Sequence, residues 1–255
     1  MNEAQPPTAD GSVPSSGAGQ ADVFVFPTSF VQRRLWFHEQ LAPGGAVYNT
    51  PAVYRLSGAL DLAALECSLN EIVRRHEVLR TTFASDEETV VQRITSWLRI
   101  PVPVVDLESR ESREAELQRL VNEEVRQSFD LENGPLFRAR VFRVTADDHV
   151  LSLTSHHTVF DGWSQGVLFH ELQILYEAFR QGLPSPLPEL PIQYADYAVW
   201  QRDRLTGQDL DRQLAYWKRQ LDGLGVLDLP VDRPRPKMQT FRGTVRQVSV
   251  SPTVA

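Results

Sequence analysis

Several features that would place the sequence in a common functional class are scarce or missing. Its 255 residues include a single cysteine, Cys67, which excludes an intramolecular disulfide and is typical of a reducing compartment. The 26 basic residues are outnumbered by 33 acidic ones, for a net charge of −7. Because nucleic-acid binding relies on a basic surface, a nucleic acid is not the expected partner.

Long apolar runs and recognisable targeting or ligand motifs are also missing. No run approaches the roughly 20 apolar residues of a membrane span, and the N-terminus lacks the basic and then apolar pattern of a secretory signal. The sequence has neither a glycine-rich phosphate loop nor a Cys/His spacing suited to a metal. We therefore expect a cytoplasmic protein without a membrane span or a metal site.

The composition itself is typical of a globular protein, with 42% hydrophobic and 23% charged residues. Residues 1–22 are rich in Pro, Ser, Gly, Ala and Gln and predict a disordered tail or linker. Residues 23–190 contain most of the periodic apolar pattern. Residues 191–255 predict two further helices, a proline-rich crossing and a last strand at 241–250.

Periodicity in residues 23–190 predicts a mixture of helices and strands. Ser29 and Asp61 precede helical patterns as N-caps, and residues 136–144 and 150–155 alternate like the arms of an antiparallel hairpin. A helical pattern follows at 163–180. Since no βαβ unit repeats, the pattern favours an α+β sandwich whose sheet is covered by helices on one side.

The second arm of this hairpin ends in the stretch HHTVFDGWS at residues 156–164. Neighbouring side chains of a strand point to opposite faces, so His156 and His157 diverge and are poorly placed to share a metal. We expect one reactive and one structural histidine. A neutral His157 imidazole, with an unperturbed pKa of about 6.5, could accept a proton near neutral pH.

Each part of this stretch also has an ordinary structural interpretation. A histidine after a strand is commonly half-buried and hydrogen-bonded, and Asp161-Gly162 is typical of a turn or a helix cap. In the functional interpretation Asp161 fixes the loop, while Gly162 permits a positive φ or a close backbone approach. The residues alone leave both interpretations open.

HHTVFDGWS and three further stretches resemble the motifs of one family, the condensation domains of non-ribosomal peptide synthetases. The others are SFVQRRLWF at 29–37, RHEVLRTTF at 75–83 and YADYAVWQ at 194–201, and they occur in the order of the family. The first departs from the family by having Phe30-Val31 where an alanine often precedes the glutamine. We interpret the first and last stretches as packing signatures. The second stretch and the Asp-Gly-Trp-Ser ending are most similar to the subclass that joins two L-aminoacyl units.

The resemblance implies a fold. The family has two similar lobes, each like chloramphenicol acetyltransferase, with the active site in a tunnel between them. The chain would hold the first lobe, a two-layer sandwich, at 23–190. Residues 191–255 would hold the connecting helices and the start of the crossover to the second lobe. Because half of the tunnel would then be missing, we expect the truncated lobe to be inactive alone.

The resemblance also implies a reaction, the formation of an amide. The donor would be an aminoacyl or peptidyl thioester on the phosphopantetheine arm of an upstream peptidyl carrier domain. The acceptor would be the amine of an aminoacyl thioester on the downstream carrier. No cofactor would bind directly, and the second lobe and an adenylation domain of the same synthetase would be further partners.

The residues of the HHTVFDGWS stretch receive distinct roles from the resemblance. His157 would position the amine and take or relay its proton, and His156 would pack or hydrogen-bond. Gly162 would let the loop turn close to the substrate. Asp161 would be structural, in a salt bridge with one of two arginines of the second stretch. The first candidate is Arg75, and the second is Arg80.

Two other functions stay open at this point. One is a coenzyme A-dependent acyltransferase of the same fold group, which also has a His-x-x-x-Asp-Gly turn. The other is a non-catalytic fragment that binds a carrier domain. The outlying stretches favour the condensation domain over the coenzyme A enzyme.

Overall fold

The computed structural model describes residues 21–86, 89–234, 236, 243 and 248–251. The predicted tail, except for residues 21 and 22, and most of the predicted strand at 241–250 lie outside this part of the chain. Helices and strands alternate in a mixed order, which confirms the predicted α+β class. The strands are β1 (Val23–Pro27), β2 (Asn49–Ser57), β3 (Thr81–Asp86), β4 (Thr89–Thr95), β5 (Val104–Asp106), β6 (Phe137–Thr145) and β7 (Asp148–His156). The helices are α1 (Phe30–Leu41), α2 (Leu62–Arg75), α3 (Arg113–Arg126), α4 (Gly162–Arg180), α5 (Tyr194–Arg204) and α6 (Gly207–Gln220), with a 3₁₀ turn at Glu77–Arg80.

Helix starts lie where the sequence predicted them. The Ser29 hydroxyl accepts the Gln32 N–H at 3.2 Å and caps α1, while the Asp61 carboxylate accepts the Ala64 N–H at 3.0 Å and caps α2. Each bond satisfies a backbone donor that has no partner within the helix. Both predicted N-caps are therefore confirmed.

The strands form two sheets. β1, β4 and β3 make a three-stranded sheet, and the larger sheet has the order β2-β7-β6-β5. β7 is antiparallel to both of its neighbours, whereas β5 runs parallel to β6. The predicted hairpin is β6–β7, so the strand that ends in His156 lies inside the larger sheet and not at its edge.

α2 and α4 cover one face of the larger sheet. Alternate residues of β7, Leu151 and Leu153, belong to the same core cluster as Leu69 of α2 and Leu172 of α4. Full burial of such a side chain contributes roughly 1.5–3 kcal/mol. This layer therefore holds the end of β7 and the start of α4 in a fixed relation.

α3 covers the opposite face. Val150 of β7 and Phe142 of β6 cluster with Leu117 and Val121 of α3, and Val150 points away from Leu151 because side chains alternate along a strand. α3 reaches this face because it connects the parallel strands β5 and β6. The prediction that helices cover one side of the sheet is wrong under α3, because the crossover between β5 and β6 places this helix on the opposite face.

α5 and α6 follow the connector, the segment at residues 181–193 that leads from α4 to α5 and contains four prolines. α5 is bound to the start of α1, because Gln201 Oε1 accepts the Phe30 N–H at 3.0 Å and Arg202 Nε donates to Thr28 O at 2.6 Å. α6 has no buried residue. Within the described ranges, no helix is long and apolar enough to cross a membrane.

Candidate active site

The two histidines lie where β7 passes into α4. His156 is the last residue of β7, and its N–H donates to Leu136 O at 3.0 Å. The His157 N–H donates to Tyr48 O at 2.8 Å. These backbone bonds reach to both sides of β7, so the main chain of both histidines is held by the sheet.

His156 is a buried, neutral side chain. It is 2% exposed, and burial, followed by the proximity of His157, lowers its pKa to about 4. Its Nδ1 accepts the backbone N–H of Thr158 at 3.2 Å and the Thr158 hydroxyl at 2.8 Å. Since an N–H can only donate, Nδ1 is the acceptor and the ring proton is on Nε2.

His157 has the opposite tautomer and the opposite exposure. The ring is exposed, and its Nδ1 lies 2.8 Å from the carbonyl oxygen of Phe160. A carbonyl can only accept, so Nδ1 carries the proton and Nε2 carries the lone pair. In the described part of the chain no hydrogen-bond partner of Nε2 is found, so its lone pair is available to a proton donor.

Asp161 caps α4, and no arginine among the described residues binds its carboxylate. Its carboxylate accepts the Ser164 N–H at 2.8 Å and the Ser164 hydroxyl at 2.6 Å. The Asp161 N–H donates back to Ser164 Oγ at 3.3 Å, which completes a capping box. These bonds, the side-chain bond first, lower the pKa of Asp161. The carboxylate is therefore ionised and fixed at the first turn of α4.

Arg75, the first candidate partner of Asp161, binds a different carboxylate of α4. Arg75 Nε lies 2.9 Å from Glu171 Oε1, and the other carboxylate oxygen lies 2.6 Å from His76 Nε2. Arg75 also donates to Pro188 O, so the cluster joins α2, α4 and the connector. The predicted salt bridge between Arg75 and Asp161 is wrong, because Glu171 lies on the face of α4 that packs against α2.

Arg80, the second candidate, is also bound elsewhere. Its guanidinium lies 3.2 Å from the Glu77 carboxylate and donates to Thr95 O. These bonds hold the Arg80 side chain between Glu77 of the same 3₁₀ turn and the end of β4. The alternative salt bridge with Asp161 is therefore wrong as well.

Gly162 is the first residue of α4 and has no positive φ. A Cβ built on it would meet no atom within 4 Å. Of the two roles expected for it, the positive φ is absent. The space that another group would need to approach the Gly162 backbone closely is open.

Residues 24–255 match the sequence model of the family described as Condensation domain. Chondramide synthase cmdD of Chondromyces crocatus is 47% identical over 221 residues, which cover 86% of this chain and 6% of that protein. Malpibaldin synthetase of Mortierella alpina is 44% identical over 224 residues, which cover 87% of this chain and 4% of that protein. This chain therefore spans only a small part of the synthetases that it matches.

Two solved structures are similar to this chain in their fold. A chain in the complex of the X-domain and OxyB from teicoplanin biosynthesis is 32% identical with a TM-score of 0.73, covering 90% of this chain and 50% of that chain. The starter condensation domain of the rhizomide synthetase RzmA is 21% identical with a TM-score of 0.72, covering 79% of this chain and 49% of that chain. At that identity the second match shows the fold alone. The chain spans about half the length of both.

Proposed function

Because the chain belongs to the condensation domain family of non-ribosomal peptide synthetases, we propose that it supplies the histidine-bearing half of a site that forms amide bonds. The observation that supports this most is the contact between His157 Nδ1 and the carbonyl oxygen of Phe160, which assigns the ring tautomer. The His157 Nδ1–H is committed to Phe160 O at 2.8 Å, so the exposed Nε2 is a ready acceptor for the proton of an attacking amine.

The proposed step joins two carrier-bound thioesters. The amine nitrogen of the acceptor attacks the carbonyl carbon of the donor thioester, the C–N bond forms and the C–S bond breaks. One proton leaves the amine nitrogen, passes to His157 Nε2 and ends on the departing sulfur, so the histidine returns to its neutral form. Alignment of two bound reactants can contribute about 7–11 kcal/mol, so holding the amine at Nε2 is part of the same role.

The open space at Gly162 supports an approach route for one substrate. A Cβ there would meet nothing within 4 Å, and the neighbouring Asp161 carboxylate is occupied by Ser164. The loop thus offers an unobstructed backbone surface at Gly162, five residues after His157. We assign this surface to the substrate chain that reaches the histidine.

The partners follow from the reaction and from the relatives. We propose upstream and downstream peptidyl carrier domains, whose phosphopantetheine arms bear the substrates, together with a second lobe and an adenylation domain of the same synthetase, acting in the cytoplasm. The two relatives described above are synthetases of which this chain covers 6% and 4%. The Asp-Gly-Trp-Ser ending favours the subclass that joins two L-aminoacyl units, and the chain itself binds no cofactor in this scheme.

The proposal is tested with the completed domain, by which we mean this chain joined to the second lobe of a condensation domain. It is supplied with one carrier that bears the donor thioester and a second that bears the acceptor thioester. We expect the dipeptidyl thioester on the acceptor carrier, detected by mass spectrometry, and no product from the 255-residue chain alone.

Two outcomes would contradict the proposal. A coenzyme A-dependent acyltransferase would transfer the same acyl group from soluble coenzyme A as fast as from the donor carrier. A carrier-binding module would retain the loaded carriers, measured by calorimetry, and give no amide even when the second lobe is present.

A further inference from the structure

Gln32, in the first of the four motif stretches, has no part in the chemistry proposed above and yet is completely enclosed. It lies on α1 and is 1% exposed. Gln92 of β4, the side chain that Gln32 contacts, is 0% exposed. A buried amide costs free energy unless its polar atoms are bonded, so the partners of Gln32 indicate what it holds in place.

The orientation of the Gln32 amide follows from its hydrogen bonds. Oε1 accepts the Ser29 N–H at 2.9 Å, which leaves Nε2 as the donor. Nε2 donates to Gln92 Oε1 at 3.0 Å and to the carbonyl of Thr158 at 3.4 Å. Gln92 is oriented in turn, because its Nε2 donates to Pro27 O at 2.9 Å. Both donor hydrogens of Gln32 are therefore used, one of them on the loop that follows the histidines.

Thr158 is the residue directly after His157, and it is held from two sides. Its N–H and hydroxyl donate to His156 Nδ1, and its carbonyl accepts from Gln32. The path of this loop decides where Phe160 O lies, and Phe160 O fixes the His157 ring through Nδ1. We propose, on the basis of the function proposed above, that Gln32 is a positioning residue, which sets the tautomer and direction of His157 through the Thr158 carbonyl.

Neither a leucine nor a glutamate at this position would make the same hydrogen bonds. A leucine would leave the Thr158 carbonyl and Gln92 Oε1 without a donor, and a glutamate would place a second oxygen against those two oxygens. Protonation of that glutamate would restore one donor, and burial favours the protonated acid. The effect of Gln32→Glu should therefore be relieved by acid, which a purely steric role would not produce.

Asn70 provides a matched control. Its side-chain amide also joins a helix to a backbone segment, since Nδ2 donates to Ile100 O at 3.1 Å and Oδ1 accepts the Ile100 N–H at 2.8 Å. Nδ2 donates as well to Glu66 O, within α2. Neither Ile100 nor Glu66 lies in the histidine loop, so Asn70→Leu removes comparable bonds and leaves the support of Thr158 intact.

The first measurement needs no activity. Nitrogen-15 NMR of the histidine rings in the 255-residue chain should show His157 as the Nδ1–H tautomer in the wild type and in Asn70→Leu. In Gln32→Leu it should show a mixture of both tautomers. A His157 that keeps the single Nδ1–H tautomer in folded Gln32→Leu would overturn the proposal.

The second measurement uses the completed domain. We expect Gln32→Leu to lower kcat by roughly 10- to 100-fold, since a misplacement of about 1 Å can cost about 100-fold, with KM for the loaded carriers unchanged. Gln32→Glu should approach the wild-type kcat as the pH falls. Equal kcat for Gln32→Leu and Asn70→Leu would contradict the positioning role. If Gln32→Leu shifts the His157 tautomer but the wild-type completed domain forms no amide, the proposed function is refuted. The positioning role of Gln32 then still stands.

Discussion

A stability measurement on Glu171 distinguishes the observed ion pair, Arg75 with Glu171, from the pair of Arg75 with Asp161 that was expected from the sequence. Glu171 and Arg75 have side chains that are 8% and 7% exposed, with Nε and Oε1 2.9 Å apart. His76 Nε2 lies 2.6 Å from the second carboxylate oxygen. Glu171→Leu therefore leaves a buried guanidinium without its counter-charge.

The expected loss is large because the pair is buried. Removal of one partner of a buried ion pair costs about 3–5 kcal/mol, and Tm falls by about 2–4 °C per kcal/mol in a protein of this size. We therefore expect Tm to fall by roughly 6–20 °C. The control is Glu114→Leu, whose pair with Arg55 has side chains 67% and 47% exposed and should cost at most about 1 kcal/mol.

Thermal unfolding measures the change in Tm, and urea unfolding of the 255-residue chain gives the free energies of unfolding for two double-mutant cycles. In the first, Arg75→Met and Glu171→Leu are made singly and together, and the double variant should be more stable than the sum of the single losses predicts. In the second, Arg75→Met is combined with Asp161→Ala. Because Asp161 bonds to Ser164, these losses should add within about 0.5 kcal/mol.

Either cycle can refute the reasoning. A coupling energy below about 0.5 kcal/mol between Arg75 and Glu171 would show that the buried pair does not act as a unit. A clear coupling energy between Arg75 and Asp161 would restore the salt bridge that the sequence suggested and contradict the capping role.

Three further predictions concern the loop. Burial lowers the pKa of His156 from 6.5 to about 4. The contribution of its neutral ring to the free energy of unfolding is therefore complete above pH 6.5 and falls by on the order of 3 kcal/mol towards pH 4. Urea unfolding should show this loss in the wild type and not in His156→Asn. Asp161→Ala should cost about 0.5–2 kcal/mol of cap stability. Since Ser164 lowers the pKa of Asp161 from 3.8, that difference should persist above pH 3.8 and shrink in denaturation curves as the pH falls through the folded pKa. Gly162→Ala should keep Tm, because its Cβ would meet no atom of the described residues within 4 Å. It should lower kcat of the completed domain, because the added methyl group enters the space assigned to the substrate.

Features that depend on neighbours along the chain could be predicted from the sequence. Ser29 and Asp61 cap their helices by bonding to backbone donors three residues on, and the β6–β7 hairpin follows the alternation of its two arms. The partner of Arg75 could not be predicted in this way, because it depends on how α2 packs against α4. A signal was present, since Glu171 stands in the buried stripe of α4 next to Leu172, where a charged residue requires a partner.

In the candidate site, too, local features could be predicted and features that depend on tertiary packing could not. Alternation in a strand predicts that His156 and His157 diverge, and the resemblance implies that His157 would be the reactive one. The tautomer of His157 depends on where the loop places Phe160 O, and the support from Gln32 depends on the packing of α1 against β4. Neither arrangement leaves a periodic pattern in the sequence.

The central claim is that His157 acts through a free Nε2, and single-turnover amide formation by the completed domain tests it most directly. The wild type is compared with His157→Asn, whose side-chain N–H can still donate to Phe160 O but which has no basic nitrogen. We predict a rate lower by about 100-fold or more with an unchanged Tm, because the ring is exposed. A His157→Asn domain that forms the amide at the wild-type rate would contradict the account.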